Sequence, residues 1–305
     1  MPEVIKADHD LFAKMKQTYA NPASKLAPGA VFHAKMPGVT VTGYRTGKVL
    51  FQGKLAAQEA ARWNTTTIAN KNSKVTTHTD NLPTGFPSWS VLGSDEVGTG
   101  SYFGPLTTAA VFVTKNQGDE LQELGVQDSK KLTDPTIIKL AKQIMRLCPY
   151  HVVNLDPKDY NRLIKQYNQA QLKALCHNLV LGKVLQKIQP QHPQAILIDQ
   201  FVSPSTYYRY LNGQPEIVKQ NVYFREKGES YHVAVAAASI VARYYSLQSM
   251  DQLSQMAGLT LPIGAGQKVD QVAVKLVQKG LDLGDFAKLH FANTQKVNRL
   301  LRNIN

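Results

Sequence analysis

The chain is nearly without cysteine: Cys148 and Cys176 are the only two among its 305 residues. A disulfide framework or a thiolate metal site needs more, so neither is expected. Long apolar runs are missing too. The longest candidate, Val233 to Ala242, covers ten residues and is interrupted by Ser239, short of the roughly 18 that span a membrane. The opening MPEVIKADHD carries acids and no apolar stretch, so no secretory signal is expected there. There is no His/Cys spacing for zinc, no GxxxxGKS/T segment for a nucleoside triphosphate, no internal repeat and no heptad run. Acids are scarce as well: 22 Asp+Glu face 35 Lys+Arg, a net charge of +13. A soluble, cytoplasmic, basic protein is the expectation, with a polyanion as its natural partner.

What is present argues for order. Hydrophobic residues at 43% and aromatics at 8% exclude wholesale disorder. The length suggests two domains, and composition shows where they divide. Residues 64–87, NTTTIANKNSKVTTHTDNLPTGFP, are rich in Thr, Asn, Ser and Pro and read as a linker. Residues 1–63 form a small unit ahead of it, in which GVTVTGYRTGKVLFQGK reads as a hairpin turning at Arg45-Thr46-Gly47 and Gln58 to Trp63 closes a helix. The first 90 residues hold 11 Lys+Arg and 5 Asp+Glu, so nearly half the excess charge sits in under a third of the chain.

Residues 88–305 alternate strands and helices, the pattern of a mixed α/β domain. Ser88–Ser94, Leu106–Thr114, Tyr150–Leu155 and Asn221–Phe224 are predicted strands, and Ala195–Ile198 is a predicted buried central strand. Helices are predicted over Asp134–Leu147 with Asp134 as N-cap, over Pro157–Ile188 with a stripe at Leu172, Leu175, Cys176 and Leu179, and over Val233–Met256, where small residues imply close packing.

Two features carry chemistry. Asp95 and Glu96 follow an apolar strand and precede Gly98-Thr99-Gly100; neighbours on a strand point to opposite faces, so both serve one site only where the strand ends. Asp199 ends the run Ala195-Ile196-Leu197-Ile198, and a carboxylate at the carboxyl end of a buried strand needs a cation or a hydrogen-bond network. Three acids at two strand ends suggest Mg²⁺ or Mn²⁺, which take oxygen ligands.

Five segments then resemble one family in its own order. They are Ser94-Asp95-Glu96-Val97-Gly98-Thr99-Gly100-Ser101-Tyr102-Phe103-Gly104-Pro105, Asp128-Ser129-Lys130-Lys131-Leu132, Ile196-Leu197-Ile198-Asp199-Gln200-Phe201, Ala236-Ala237-Ala238-Ser239-Ile240-Val241-Ala242-Arg243, and Lys288-Leu289-His290-Phe291-Ala292-Asn293-Thr294. These resemble the type 2 ribonucleases H, the HIII branch most of all. The resemblance implies a ribonuclease H-like mixed five-stranded sheet flanked by helices, and before it a small α+β domain similar to the TATA-binding-protein-like domain of that branch. It implies an endonuclease cutting the RNA strand of RNA–DNA hybrids with two divalent ions, Mg²⁺ or Mn²⁺, and leaving 5′-phosphate and 3′-hydroxyl ends.

Of the family's four acids, Asp95, Glu96 and Asp199 carry over directly. The fourth acid of the HII branch falls on Leu247, which cannot hold a metal. The HIII arrangement points instead to Glu229, with Glu226 and Asp251 as fallbacks. The resemblance also gives Ser129 and Lys130 to substrate phosphates, where a solvated basic turn is the other reading. Gly98, Thr99 and Gly100 are placed to read ribose 2′-hydroxyls. Thr99 stands where the HII branch has Arg or Lys, which favours runs of ribonucleotides over a single embedded one. The Gly264–Lys268 loop, Lys288, Lys296, Arg299 and Arg302 are further phosphate candidates or solvated surface. His290 is a proton-transfer candidate or a structural imidazole. Lys35, Arg45, Lys48 and Lys54 suit the first unit to gripping a duplex.

The partner expected is an RNA–DNA hybrid duplex met by a monomer, with no membrane and no nucleotide cofactor. The spacing of Gly98, Gly100 and Gly104 is wrong for a dinucleotide fingerprint, and two acids precede it where phosphate would be repelled. The Tyr207-Tyr208-x-Tyr210 cluster is commoner as a helix start than as a base-stacking surface. An enzyme acting at single ribonucleotides and a non-catalytic hybrid-binding protein are the competing readings.

Overall fold

The computed structural model describes residues 3–7, 9–19, 26, 29–63 and 82–302. They divide between two compact units, one within residues 1–76 and the other within 77–305.

The first unit runs β1 (Glu3–Lys6), α1 (His9–Tyr19), β2 (Ala30–Met36), β3 (Val39–Tyr44), β4 (Lys48–Gln52) and α2 (Ala56–Ala61). Its sheet is antiparallel in the order β1-β4-β3-β2. Alternation along β4 buries Val49 and Phe51 and leaves Lys48 and Gln52 exposed, so one face carries the core and the other is open to solvent. Met15 and Tyr19 of α1 and Ala56 and Ala60 of α2 fill the covered face with Phe32 and Val41. The predicted hairpin is β3 and β4, with Gly47 at φ +78° in the turn.

The second unit contains β5 (Val91–Val97), β6 (Leu106–Val113), α3 (Lys115–Glu123), α4 (Asp134–Leu147), β7 (Tyr150–Leu155), α5 (Pro157–Leu163), α6 (Gln169–Lys187), β8 (Ala195–Asp199), α7 (Pro204–Tyr210), β9 (Val222–Arg225), α8 (Val233–Ala257), α9 (Gln267–Gln278) and α10 (Ala292–Arg302). Its five strands lie in the order β7-β6-β5-β8-β9. β5, β6 and β7 pair antiparallel, while β5, β8 and β9 pair parallel. This is the mixed five-stranded sheet that the resemblance implies.

One sheet face is covered by α8 with α4, the other by α6 with α7. The small residues of α8 let it lie directly on β5: a Cβ added to Gly93 would stand 2.4 Å from the Ala234 carbonyl carbon. A third cluster, with Tyr102 and Phe103 packed among α8, α9 and α10, closes the end of the sheet where β5 finishes. Because β5 and β8 run parallel, their carboxyl ends meet, with Ser94 beside Ile198 one step before Asp95 and Asp199.

Four local expectations differ from the structure. Residues 64–81 of the expected linker lie outside the described residues, and its last part is already core, since Phe86 is buried against Trp89 and His232. The expected helix over Pro157–Ile188 is two helices, because the Asn168 side chain accepts from the Gln171 amide and starts α6 afresh. Thr133, not Asp134, occupies the N-cap of α4; Asp134 sits in the first turn and pairs with Arg243 at 2.6 Å. Leu179 is exposed, and the buried row of α6 includes Lys173 and His177.

Candidate active site

At the joined ends of β5 and β8, a cleft of about 450 Å³ is lined by Asp95, Glu96 and Asp199. Gly98, Thr99, Gly100, Ser129 and Lys130 line it as well, as does Leu247. The strand does not end before the two acids: β5 continues through Val97, with Asp95 paired to Ala109 and Glu96 to Thr108. The acids therefore face opposite sides of the sheet, and each is held by a different helix.

Asp95 turns toward α8. Its Oδ1 accepts from the Glu96 amide at 2.7 Å, and the nearby Ser239 hydroxyl favours the ionised carboxylate. Ser129 and Ser239 share a hydrogen bond of 2.9 Å, so the Asp128–Leu132 loop is joined to α8 beside Asp95. Arg243, one helical turn beyond Ser239, fixes that loop by donating to the carbonyls of Ser129 and Leu132. Burial pushes the Asp95 pKa well up, and the charges of Glu96 and Asp199 push it further. Asp199 is held by the Gly228 amide, which donates to its Oδ1 at 2.9 Å.

Glu96 turns toward α6. Lys173 Nζ meets its Oε1 at 2.5 Å and His177 Nε2 donates to its Oε2 at 2.9 Å. Burial alone would raise its pKa. The His177 hydrogen bond and charge, with the Lys173 ammonium, outweigh burial and hold it at about 2. Two adjacent acids thus sit in opposite electrostatic settings.

The loop after β5 is fixed from several sides. Gly98 has φ +94°, and a Cβ there would stand 2.2 Å from the Pro105 carbonyl oxygen, so only glycine fits. Gln169 Nε2 donates to the Thr99 carbonyl at 3.1 Å. Lys288 is fully buried and donates to the carbonyls of Ser101 and Gly104 at 2.8 and 2.7 Å. Burial pulls its pKa down to about 7. The Thr99 hydroxyl is buried with no hydrogen-bond partner among the described residues.

The structure gathers eight of the expected site residues and leaves two elsewhere. Glu229 lines a neighbouring cleft with Asp128, Lys131 and His232. Lys48 belongs to the other unit, on its exposed sheet face. Ser129 is buried while Lys130 is exposed. His290 is exposed and packs on Tyr160 and Phe291. Lys296 lies near Asp270, and Arg299 and Arg302 are exposed. Among the described residues no three carboxylate, imidazole or thiol groups form a ready metal cage. Glu96 presents its oxygens to Lys173 and His177 instead.

Gln169, Lys173, His177 and Arg243 make contacts here that no apolar pattern in the sequence marks, and Lys288 is buried rather than on the surface. The signal available for the first three was their spacing, i, i+4 and i+8 along one face of one helix, with Lys173 and His177 buried and Gln169 half-buried.

The family described as Ribonuclease HII matches residues 92–294, and one described as a domain of unknown function, DUF3378, matches residues 2–76. The chain is 63% identical to a ribonuclease HIII of Limosilactobacillus fermentum, over 98% of this chain and 99% of that protein. It is 51% identical to a ribonuclease HIII of Leuconostoc mesenteroides, over 99% of this chain and all of the relative. The crystal structure of Bst-RNase HIII in complex with Mn²⁺ is similar, with a TM-score of 0.71 and 42% identity over 99% of this chain and 100% of that one.

Proposed function

The chain belongs to the ribonuclease HIII family, and from that premise we propose how its cleft works. The protein is a metal-dependent endonuclease that hydrolyses the RNA strand of RNA–DNA hybrids, leaving 5′-phosphate and 3′-hydroxyl ends. The observation that carries the site assignment is the meeting of Asp95, Glu96 and Asp199 at the ends of two parallel strands in one cleft.

The donor set fits a hard divalent cation: Asp95 and Asp199 offer carboxylate oxygens at adjoining strand ends, and Glu96, though Lys173 and His177 each hold one of its oxygens, keeps further lone pairs that could face the same ion. The upward push of Glu96 and Asp199 on Asp95 marks a concentration of negative charge that a cation would neutralise. Asp95, Glu96 and Asp199 would hold it, with Glu229 as fourth member. Gly228, directly before Glu229, is bonded to Asp199, whereas Glu226 and Asp251 are exposed and line neither cleft. When bound, Mg²⁺ or Mn²⁺, two ions in this proposal, supplies an acidified water and offsets charge on the attacking and leaving oxygens.

The remaining work falls to the protein. Lys130, exposed at the cleft, meets a backbone phosphate, and Ser129 supports that loop from below through Ser239. Gly98, Thr99 and Gly100 approach the ribose through their backbone: Gly100 has open space at its Cα, so a 2′-hydroxyl can come close. The first unit adds affinity through exposed Lys35, Arg45, Lys48 and Lys54, so binding weakens with salt without sequence preference. The proposal is completed by a monomer that needs no nucleotide cofactor and acts in the cytoplasm. Among the described residues no helix is long and apolar enough to cross a membrane.

The test is a cleavage assay on a uniform RNA–DNA hybrid and on a duplex with one embedded ribonucleotide, with Mg²⁺, with Mn²⁺ and in chelator. Metal-dependent preference for the uniform hybrid supports the reading, and preference for the embedded ribonucleotide contradicts it. Unimpaired cutting by Glu229→Gln would move the fourth ligand elsewhere.

A further inference from the structure

Helix α6 carries one polar row inside a buried face: Gln169, Lys173 and His177, spaced four residues apart. All three reach across to β5 and the loop after it. Gln169 holds the Thr99 carbonyl, Lys173 and His177 hold the two oxygens of Glu96, and His177 Nδ1 is bonded to the Ser94 hydroxyl at 2.8 Å. Lys173 and His177 are 8% and 0% exposed. Lysine is almost never so buried unless paired.

The floor beneath the pair is Phe201, two residues beyond Asp199. Lys173 Nζ lies 3.9 Å from its ring centre, and the His177 ring stacks on it at 5.3 Å. The segment leaving Asp199 therefore braces the groups that hold Glu96.

Stability alone is a weak reason for this arrangement. Buried ion pairs replaced by well-packed apolar groups are often neutral or better, since desolvation opposes the attraction. Position is the stronger reason. Alternation along β5 hands Asp95 to α8 and sends Glu96 to the opposite face, where a free carboxylate has several rotamers. Contact at both oxygens leaves one.

We propose that Lys173 and His177 are positioning residues for Glu96, and that with Gln169 they make α6 a rigid bar setting the acid and the Gly98–Gly100 loop in register. This rests on Glu96 serving the reaction as proposed above. Neither residue contacts substrate; both act through Glu96.

The experiment measures kcat and KM on a uniform hybrid for Lys173→Met, His177→Leu and His177→Gln. Hybrid affinity in chelator and the thermal midpoint are measured alongside. Misplacement of a reacting group by about 1 Å costs on the order of 100-fold, so kcat should fall roughly that far in Lys173→Met and His177→Leu. KM and hybrid affinity in chelator should stay within about twofold, the pattern of an interaction that matters only in the reaction step. His177→Gln, whose amide can still donate to Glu96, should recover at least about tenfold over His177→Leu. In a Glu96→Gln background, Lys173→Met should add no further loss.

Unchanged kcat with a lowered thermal midpoint would overturn the proposal in favour of a purely structural pair. Weakened hybrid binding with kcat intact would overturn it in favour of substrate contact. A large extra loss in the double variant would show action outside Glu96. Failure of Glu96→Gln alone to lower kcat would instead strike the site assignment itself. If Lys173→Met does not fold, the two His177 variants decide the matter by the same measurements.

Discussion

Acidification should weaken the catalytic unit through His232, by an amount its surroundings set. His232 caps α8: its Nδ1 accepts from the Ala234 amide at 3.1 Å, and its Nε2 donates to the Trp89 carbonyl at 3.2 Å. The ring is 3% exposed and meets Phe86 edge-on. Protonating Nδ1 would end the cap and place a charge in the core. Burial accordingly brings the pKa down to about 4, with the Trp89 carbonyl opposing. The unfolded chain takes up this proton near pH 6.5, the folded chain only near pH 4. Above pH 6.5 both states are neutral and the stabilisation is complete; it is lost as pH falls through that window. The loss is about 2 kcal/mol by pH 5 and about 3 kcal/mol by pH 4. For a unit of this size, 3 kcal/mol corresponds to roughly 6–12 °C in thermal midpoint.

Carboxylates elsewhere add their own pH dependence, so the informative quantity is a difference. His232→Asn keeps a side-chain acceptor for the start of α8 but cannot titrate. Thermal unfolding followed by circular dichroism from pH 7.5 to 4 should show wild type losing its lead over the variant by about 3 kcal/mol. A gap constant to within about 0.5 kcal/mol would refute the reasoning, because it would mean that the folded protein protonates His232 as readily as the unfolded chain.

Three further outcomes follow from the site. Gly98→Ala forces a side chain into a left-handed position and against the Pro105 carbonyl; a loss above about 2 kcal/mol and a fall in kcat are expected from unfolding and hybrid-cleavage measurements. Arg243→Lys keeps the charge but loses the fork that holds Ser129, Leu132 and Asp134 together, so KM for the hybrid should rise severalfold in steady-state kinetics. Asp95→Asn should raise the thermal midpoint in chelator at neutral pH. The Asp95 pKa is raised in the folded state, so its ionised form opposes folding above the ordinary carboxylate range, and the amide removes that opposition.

The architecture was largely legible from period and motif. β5, β6 and β7 announced themselves by apolar runs, and the small residues of α8 implied the close approach that Gly93 allows. Polar residues in the interior were not legible. Lys173 and His177 occupy buried positions on α6, so a stripe drawn through apolar residues alone was displaced onto exposed Leu179. Lys288 read as one more surface cation because nothing local marks a lysine whose acceptors, the carbonyls of Ser101 and Gly104, lie far away in sequence. Asp95 and Glu96 were expected to share a site because the strand stopped. They line one cleft although β5 continues through both, its alternation handing Asp95 to α8 and Glu96 to α6. Glu229 has its place in the chain from the motif alone; the turn at Gly228–Ser230 puts its side chain in the cleft beside the one that Asp95 and Asp199 line, with the Gly228 amide bonded to Asp199 between the two.

The central claim is that the acids at the ends of β5 and β8 perform the cleavage while the basic surface holds the hybrid. It is tested most directly by comparing wild type with Asp95→Asn on a uniform RNA–DNA hybrid, measuring single-turnover cleavage in divalent metal and hybrid affinity in chelator. The account predicts lost cleavage with affinity retained within about twofold. Cleavage at the wild-type rate by Asp95→Asn would contradict it.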